Sequence, residues 1–257
     1  MKGIILAAGK GTRLYPMTKP VCKPLLPVYD KPLIYYSIAV LMEADIRDIM
    51  IIIPPEEEQT FRKLLGDGSA FGVQITYAVQ YVARGIADAF LVAEDFVQGD
   101  CACLILGDNI FYAKDLREKL MQAASNPNGA TVFGYYVDDP RAFGVVEFDE
   151  NGTAISLEEK PKHPKSNYII PGLYFYDAEV LALAKTLQPS ARGELEITDL
   201  NRLYLESGKL QVIPLESDFV WMDAGTADSM LEAAEIVKAL QKSGCYVGCL
   251  EELAWKE

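Results

Sequence analysis

Histidine is almost absent from this 257-residue chain, with His163 the single example. It sits among Lys162, Pro164 and Lys165 and reads as an exposed loop residue. A Ser-His or Cys-His nucleophile would depend on it, and no partner for it is apparent. Positive charge is also short: 24 Lys and Arg stand against 37 Asp and Glu, a net charge of −13. A nucleic-acid binder shows a basic face, so no nucleic-acid partner is expected. No apolar run approaches the roughly 18 residues that cross a bilayer, so no membrane partner is expected either. The N-terminal apolar run is short and leads straight into a glycine turn, which is not the pattern of an export signal. The cytoplasm is the expected location. The five cysteines do not make a disulfide framework in a chain of this length. Cys245 and Cys249 lack both C-x-x-C spacing and nearby histidines, which argues against zinc. Cys101 and Cys103 alternate on an apolar segment and read as core. Cys22 beside Lys23 has the setting of a low-pKa thiol, but reads as a bystander. Low-complexity linkers and internal repeats are missing as well.

What is present is concentrated in Gly3-Ile4-Ile5-Leu6-Ala7-Ala8-Gly9-Lys10-Gly11-Thr12-Arg13-Leu14. The apolar run reads as a buried first strand. The glycines let backbone N–H groups approach an anion without a side chain between them. In an α/β sheet the ligand crevice lies past the carboxyl ends of the strands. The segment therefore reads as a phosphate cradle with Arg13 beside it and Lys23 ten residues on. Lys10, Arg13, Lys19, Lys23 and Lys31 make the first thirty or so residues locally basic. In an acidic protein such a cluster focuses an anionic ligand, or it is a solvated basic surface.

Strand patterns fall at 2–8, 48–53, 73–79, 102–107 and 130–137, and helical patterns at 32–44, 56–65, 86–97 and 113–124. This alternation predicts βαβ units. After about residue 140, strands are predicted at 143–148, 153–157, 168–176, 210–214 and 219–222, some of them antiparallel. Helices are predicted near 178–187 and up to about 207, and a last one begins at Thr226 as N-cap with Asp228 in its first turn. Its stripe of Met230, Leu231, Ala234, Val237 and Leu240 reads as core or subunit contact. The expected fold class is α/β, a Rossmann-like three-layer sandwich. It has a mostly parallel mixed central sheet and an added β-rich substrate-binding half.

Two phosphate motifs are not met, which leaves NAD binding only a distant alternative. The Walker spacing G-x-x-x-x-G-K-[ST] is not met. The dinucleotide fingerprint fails at Leu14, and the second strand ends in Pro54-Pro55 where an acidic residue is expected. What remains is Gly9, Gly11, Arg13, Lys23, Asp108, Lys160 and Asp223. Two carboxylates at strand ends suit Mg²⁺, which prefers oxygen ligands and substrate phosphates. Arg13 and Lys23 suit a triphosphate, and Lys160 suits a second anion. Each also has a plain structural reading: Asp108 capping the following helix, Lys160 pairing with Glu158, Asp223 stabilising a turn.

These motifs stand together with Leu26-Pro27-Val28-Tyr29-Asp30-Lys31-Pro32, Leu106-Gly107-Asp108-Asn109, the stretches 135–148, 156–161 and 172–177, Gly193 to Asn201, and Trp221-Met222-Asp223-Ala224-Gly225-Thr226. In that order, over nearly the whole chain, the sequence resembles the sugar-phosphate nucleotidylyltransferases. The Gly-Glu-Leu-Glu-Ile-Thr-Asp run at 193–199 points to their thymidylyltransferase branch, which opens dTDP-rhamnose synthesis. The resemblance implies one nucleotidyltransferase domain over 1–257. Its parts are a mainly nucleotide-binding half (1–140), a mainly sugar-phosphate-binding half (141–225), and a C-terminal helix and tail (226–257). It implies thymidylyl transfer from dTTP to glucose 1-phosphate, with Mg²⁺ as cofactor and a homo-oligomer, dimer or tetramer. Arg13, Lys23 and Lys160 are the implied catalytic residues. Leu6, Ala8, Gly9, Gly11, Thr12, Arg13, Lys23, Gln80, Gly85 and Asp108 bind the nucleotide. Asn109, Gly144, Glu159, Lys160 and Ile170 bind the sugar phosphate, and Asp108 and Asp223 hold the metal. The Gln80 amide can accept from an imide N–H and donate to a ring carbonyl, which fits thymine or uracil. Pro24 and Asp88 depart from the branch, which usually has glutamine at both places. The alternatives are a uridylyltransferase using UTP and a non-catalytic sugar-nucleotide-binding subunit. The chain ends before the C-terminal helices of longer members, so feedback regulation of their kind is not expected.

Overall fold

A computed structural model describes residues 1–126, 128–216 and 218–254. The elements run β1 (Lys2–Leu6), β2 (Pro27–Val28), β3 (Lys31–Pro32), α1 (Ile34–Glu43), β4 (Asp48–Ile53), α2 (Glu58–Leu65), β5 (Gln74–Val79), α3 (Asp88–Val92), α4 (Glu94–Val97) and β6 (Ala102–Leu106). They continue with β7 (Asn109–Tyr112), α5 (Leu116–Ala124), β8 (Ala130–Tyr136), β9 (Gly144–Phe148), β10 (Ala154–Glu159), β11 (Tyr168–Ile169) and β12 (Leu173–Tyr176). The last are α6 (Val180–Ala184), α7 (Ile197–Glu206), β13 (Leu210–Pro214), β14 (Val220–Asp223), α8 (Ala227–Lys242) and α9 (Leu250–Ala254). Among the described residues, no helix is long and apolar enough to cross a membrane.

Two compact units interleave along the chain. The first comprises Lys2–Val82, Ile105–Met121 and Phe219–Glu257. In it β1 lies parallel to β4, and β4 parallel to β5. Ile4 and Ile5 in β1, and Ile49, Ile51, Ile52 and Ile53 in β4, are fully buried. A parallel strand covered on both faces needs such an unbroken β-branched run. Helix α1 is buried along almost its whole length. Strand β7 pairs antiparallel with β14, setting Asn109 opposite Asp223. Helix α8 opens on the expected cap: the Thr226 hydroxyl accepts from the Ser229 N–H at 3.1 Å, and the Ser229 hydroxyl accepts in turn from the Thr226 N–H. Met230, Ala234, Val237 and Leu240 pack on a core with Val28, Leu33, Tyr36 and Ile110. Leu231 is 61% exposed, because one residue past Met230 turns the side chain about 100° off that stripe.

The second unit comprises Met1, Ala83–Leu104 and Gln122–Asp218. Strand β8 pairs antiparallel with β12 and β11 and parallel with β13. Strands β9 and β10 form an antiparallel pair, joined through Val145 to Ile169 of β11. Burial here is partly polar. The Tyr176 hydroxyl donates to Asn201 Oδ1 at 2.6 Å, and the Tyr204 hydroxyl to Asp177 Oδ1 at 2.7 Å, with all four residues buried.

Some expectations shift. The strand expected at 168–176 is two, parted at Pro171, which has no N–H to give a ladder. The helix expected at 86–97 is α3 and α4, divided at Ala93. The helix expected at 113–124 starts only at Leu116, because β7 takes the residues just before it. Asp108 therefore precedes a strand and caps no helix. Helix α9 was not expected. Residues 255–257, the end of the expected 226–257 segment, lie outside the described residues. Cys103 is buried as expected, whereas Cys101 is half-buried.

Tyr204→Phe removes the donor to the buried Asp177 carboxylate. It is expected to lower unfolding free energy by about 1–3 kcal/mol, read from urea midpoints. An unchanged midpoint would mean that this bond contributes nothing net.

Candidate active site

The glycine turn is placed by backbone bonds at the ends of the parallel strands. Ala7 N–H donates to Ile52 O at 2.8 Å, and Gly107 N–H to Leu6 O at 2.9 Å. Gly11 then takes a left-handed conformation at φ 59°. A Cβ there would lie 2.8 Å from Thr18 Cγ2 and 3.1 Å from Lys23 Cβ, so both the angle and the packing require glycine. The single 3-10 turn Thr12–Leu14 follows, with Leu14 buried and Arg13 exposed.

Lys23 opens the 3-10 turn Lys23–Leu25, and the backbone just before it is held where Cys22 N–H donates to the buried Glu57 carboxylate at 2.7 Å. The Lys23 side chain is also buried, at 5% exposure. Its Nζ lies 2.6 Å from Asp108 Oδ2 and 3.2 Å from Asp223 Oδ1. A buried ammonium costs several kcal/mol of desolvation, which only close opposite charges offset. The β7–β14 register brings Asp223 to the residue beside Asp108. Asn109 donates from Nδ2 to Asp108 Oδ1 at 2.9 Å, and its own Oδ1 accepts from the Trp221 indole at 2.6 Å. A Cβ on Gly225 would lie 2.8 Å from Asp223 Oδ1 and 2.9 Å from Arg13 Nη2, so the bare glycine lets both groups face the same space.

A cavity of about 300 Å³ opens here within the first unit. Of the expected residues, Leu6, Gly9, Gly11, Thr12, Arg13, Lys23 and Asp108 line it. Of the five clustered cations, only Arg13 and Lys23 do. Ala8 is buried in the turn, and Gln80 is buried at the end of β5, its N–H donating to Ile53 O at 2.9 Å. Ala7, Pro24, Leu106 and Gly225 also line the cavity. Sequence reasoning had not assigned them to the site, although Gly225 stands in the 221–226 run.

The two aspartates suit a hard divalent cation. They converge on one cationic point, and no group of three His, Cys, Asp or Glu side chains able to hold a metal occurs among the described residues. A pair of carboxylates leaves most of an octahedral shell to phosphate and water, as Mg²⁺ prefers.

The other expected residues belong to the second unit. Glu159 ends β10, and its carboxylate accepts from the Thr198 hydroxyl at the start of α7. Ile170 N–H donates to Gly144 O at 2.9 Å, and Lys160 N–H to Phe143 O at 2.9 Å. These bonds gather Gly144, Glu159, Lys160 and Ile170 at neighbouring strand ends. Lys160 has a left-handed backbone at φ 44°, a conformation that side-chain-bearing residues keep where the surroundings impose it. Its Nζ lies 3.6 Å from Glu159, while Glu158 pairs instead with Lys165 at 3.1 Å. Gly85 is in this unit too, before α3. Thr198 was missed as a partner for Glu159, and Trp221 as a partner for Asn109. Both lie in runs noted for the resemblance, but no local pattern links them to residues 39 and 112 positions away.

A family model described as nucleotidyl transferase matches residues 2–239. The chain belongs to the nucleotidyl transferase family. The glucose-1-phosphate thymidylyltransferase of Neisseria gonorrhoeae is 56% identical over 257 residues, all of this chain and 89% of that protein. The one from Xanthomonas campestris pv. campestris strain B100 is 54% identical over 99% of this chain and 86% of its own length. A crystal structure of a Bacillus anthracis protein described as a glucose-1-phosphate thymidylyltransferase, in complex with sucrose, has a TM-score of 0.86 and 47% identity, covering 93% of this chain and 95% of that one. A UDP-glucose pyrophosphorylase complexed with UDP-glucose shares the fold at a TM-score of 0.78, with 22% identity over 93% of this chain and 98% of that one. The α/β, Rossmann-like expectation holds for this nucleotidyl transferase.

Its thiols differ in reactivity. Burial, with the nearby Glu57 carboxylate adding to it, pushes Cys22 up to about 12, so the lowered pKa that its Lys23 neighbour suggested does not occur. Cys245 is lowered, mainly because the Tyr112 hydroxyl hydrogen-bonds its sulfur. The thiolate is the reacting form. At pH 8 iodoacetamide is therefore expected to label Cys245 before Cys22, read by peptide mass spectrometry. The reverse order would contradict these environments.

Proposed function

We propose that the protein transfers a thymidylyl group from dTTP to α-D-glucose 1-phosphate, giving dTDP-glucose and pyrophosphate. The observation that carries this reading is the Lys23 ammonium between Asp108 and Asp223, on the wall that Arg13 and the glycine turn share. It is a site for a polyphosphate and a cation. The thymidylyltransferases at 48–56% identity support the nucleotide and the sugar.

Each group has a distinct task. The turn from Leu6 through Ala8, Gly9, Gly11 and Thr12 accommodates the triphosphate with its backbone. Arg13 and Lys23 neutralise charge as it moves onto the leaving phosphates. Gln80 and the Gly85 backbone read the pyrimidine. Glu159 and Asn109, with the backbone of Gly144 and Ile170, hold the sugar hydroxyls, and Lys160 holds the sugar phosphate. Asp108 and Asp223 hold Mg²⁺, which supplies further neutralisation of the phosphates. A phosphate oxygen of the sugar phosphate forms the new bond to the α-phosphorus. The bond from that phosphorus to the bridging oxygen breaks, and pyrophosphate leaves with the electron pair. The second pKa of a phosphate ester is about 6, so the nucleophile is already ionised at pH 7. No general base is needed, in keeping with a chain whose one histidine is an exposed loop residue. Catalysis is positioning and charge stabilisation. In-line attack inverts the α-phosphorus. A cytoplasmic homo-oligomer, dimer or tetramer, completes the reading.

A panel of nucleoside triphosphates with glucose 1-phosphate and Mg²⁺, read by pyrophosphate release, tests it. dTTP should be fastest. UTP at least as fast would make the protein a uridylyltransferase, and no release with any nucleotide would refute the enzyme. Arg13→Ala should lower turnover by about a hundredfold or more, the scale of losing one preorganised donor. Gly225→Ala sets a methyl against Arg13 and Asp223, and should lower turnover by about tenfold or more through misplacement alone. Its thermal midpoint should stay near wild type. Wild-type turnover in either variant would remove that residue from the mechanism.

A further inference from the structure

Asp88 is 1% exposed at the start of α3, and a buried carboxylate requires a partner. Its Oδ1 lies 2.9 Å from Nη2 of Arg84, whose side chain is 58% exposed. The ion pair thus reaches from the surface inward and spans Gly85. The same short segment is laced to Leu195 from both sides. Leu195 N–H donates to Arg84 O at 2.6 Å, and Ala87 N–H donates to Leu195 O at 3.1 Å. Gly85 is pressed into that contact at φ 106°, where a Cβ would stand 2.4 Å from Leu195 O. Immediately before it, Tyr81, Val82 and Ala83 are exposed. Gly85 is therefore the point at which an exposed loop becomes fixed, and the Arg84–Asp88 pair closes over it.

The geometry points to Arg84 and Asp88 as positioning residues that clasp the Gly85 backbone in place for the pyrimidine and so set nucleotide affinity and discrimination, not the rate of phosphoryl transfer. This rests on the reading that Gly85 addresses the base of the nucleotide. The ion pair adds a restraint through side chains, and its energy depends on charge.

Steady-state kinetics of Asp88→Asn, Arg84→Ala and Arg84→Lys test the clasp. Loss of positioning at one substrate raises that substrate's KM and leaves the chemical step alone. Asp88→Asn and Arg84→Ala are each expected to raise KM for dTTP by about tenfold, the scale of one specificity contact, and to narrow the preference for dTTP over UTP. For both variants kcat and KM for glucose 1-phosphate should stay within about twofold of wild type, since the clasp acts on the backbone assigned to the base. Arg84→Lys, which keeps the charge, should recover most of the loss, and the Arg84→Ala/Asp88→Asn double variant should be no worse than either single one. Unchanged KM for dTTP, or an equal fall in every parameter, would overturn the assignment. Amide hydrogen exchange over residues 81–87 reads the clasp without turnover. Exchange should quicken in Arg84→Ala there and not elsewhere, and unchanged exchange also overturns it. If the wild-type protein turned over no nucleotide, the functional reading would fail by itself, and exchange would still judge the clasp.

Discussion

Two carboxylates and an ammonium share one point in this protein, and the rest of the first unit is arranged around that fact. Asp108 and Asp223 repel each other, and each is partly removed from water. Lys23 lies almost wholly inside and has both carboxylates as its ion partners. The Lys23 ammonium is not tolerable alone at such burial, and with the two carboxylates it makes a compact charged centre. The supports are specific. Glu57 fixes the backbone before Lys23, the absent side chain at Gly11 lets Lys23 approach the turn, and the β7–β14 register places the aspartates. Asn109, held by Trp221, orients one of them.

That arrangement places a cationic point inside a strongly acidic chain. Net charge governs the field far from the surface. A few cations fixed in a concave, partly dehydrated place govern the field within it. In the second unit the same economy recurs at neighbouring strand ends. Glu159 is oriented by Thr198, and Lys160 follows it in a left-handed backbone conformation.

Much of this was legible along the chain because it is local. The isoleucine runs of β1 and β4, the glycine turn, the Thr226 cap and the Met230–Leu240 stripe each carry their cause within a few residues. Strand β7 was not legible. Asn109 to Tyr112 is too short to declare itself, and its partner β14 lies more than a hundred residues on. Helix α9 has one turn and a weak pattern. The break at Pro171 could have been read from its missing N–H, but the apolar run on either side masked it.

The sequence alone therefore determined the groups on offer: a glycine turn after the first strand, two cations close to it in the chain, and two carboxylates at strand ends. Residue types and short-range spacing are enough for that, since each rests on local backbone preference or side-chain chemistry. Tertiary structure alone decided which of these groups meet. Lys23 touching both aspartates, Thr198 holding Glu159, and Arg84 reaching the buried Asp88 beside Leu195 all depend on strand register and burial. Those are settled only when distant segments pack together and exclude water.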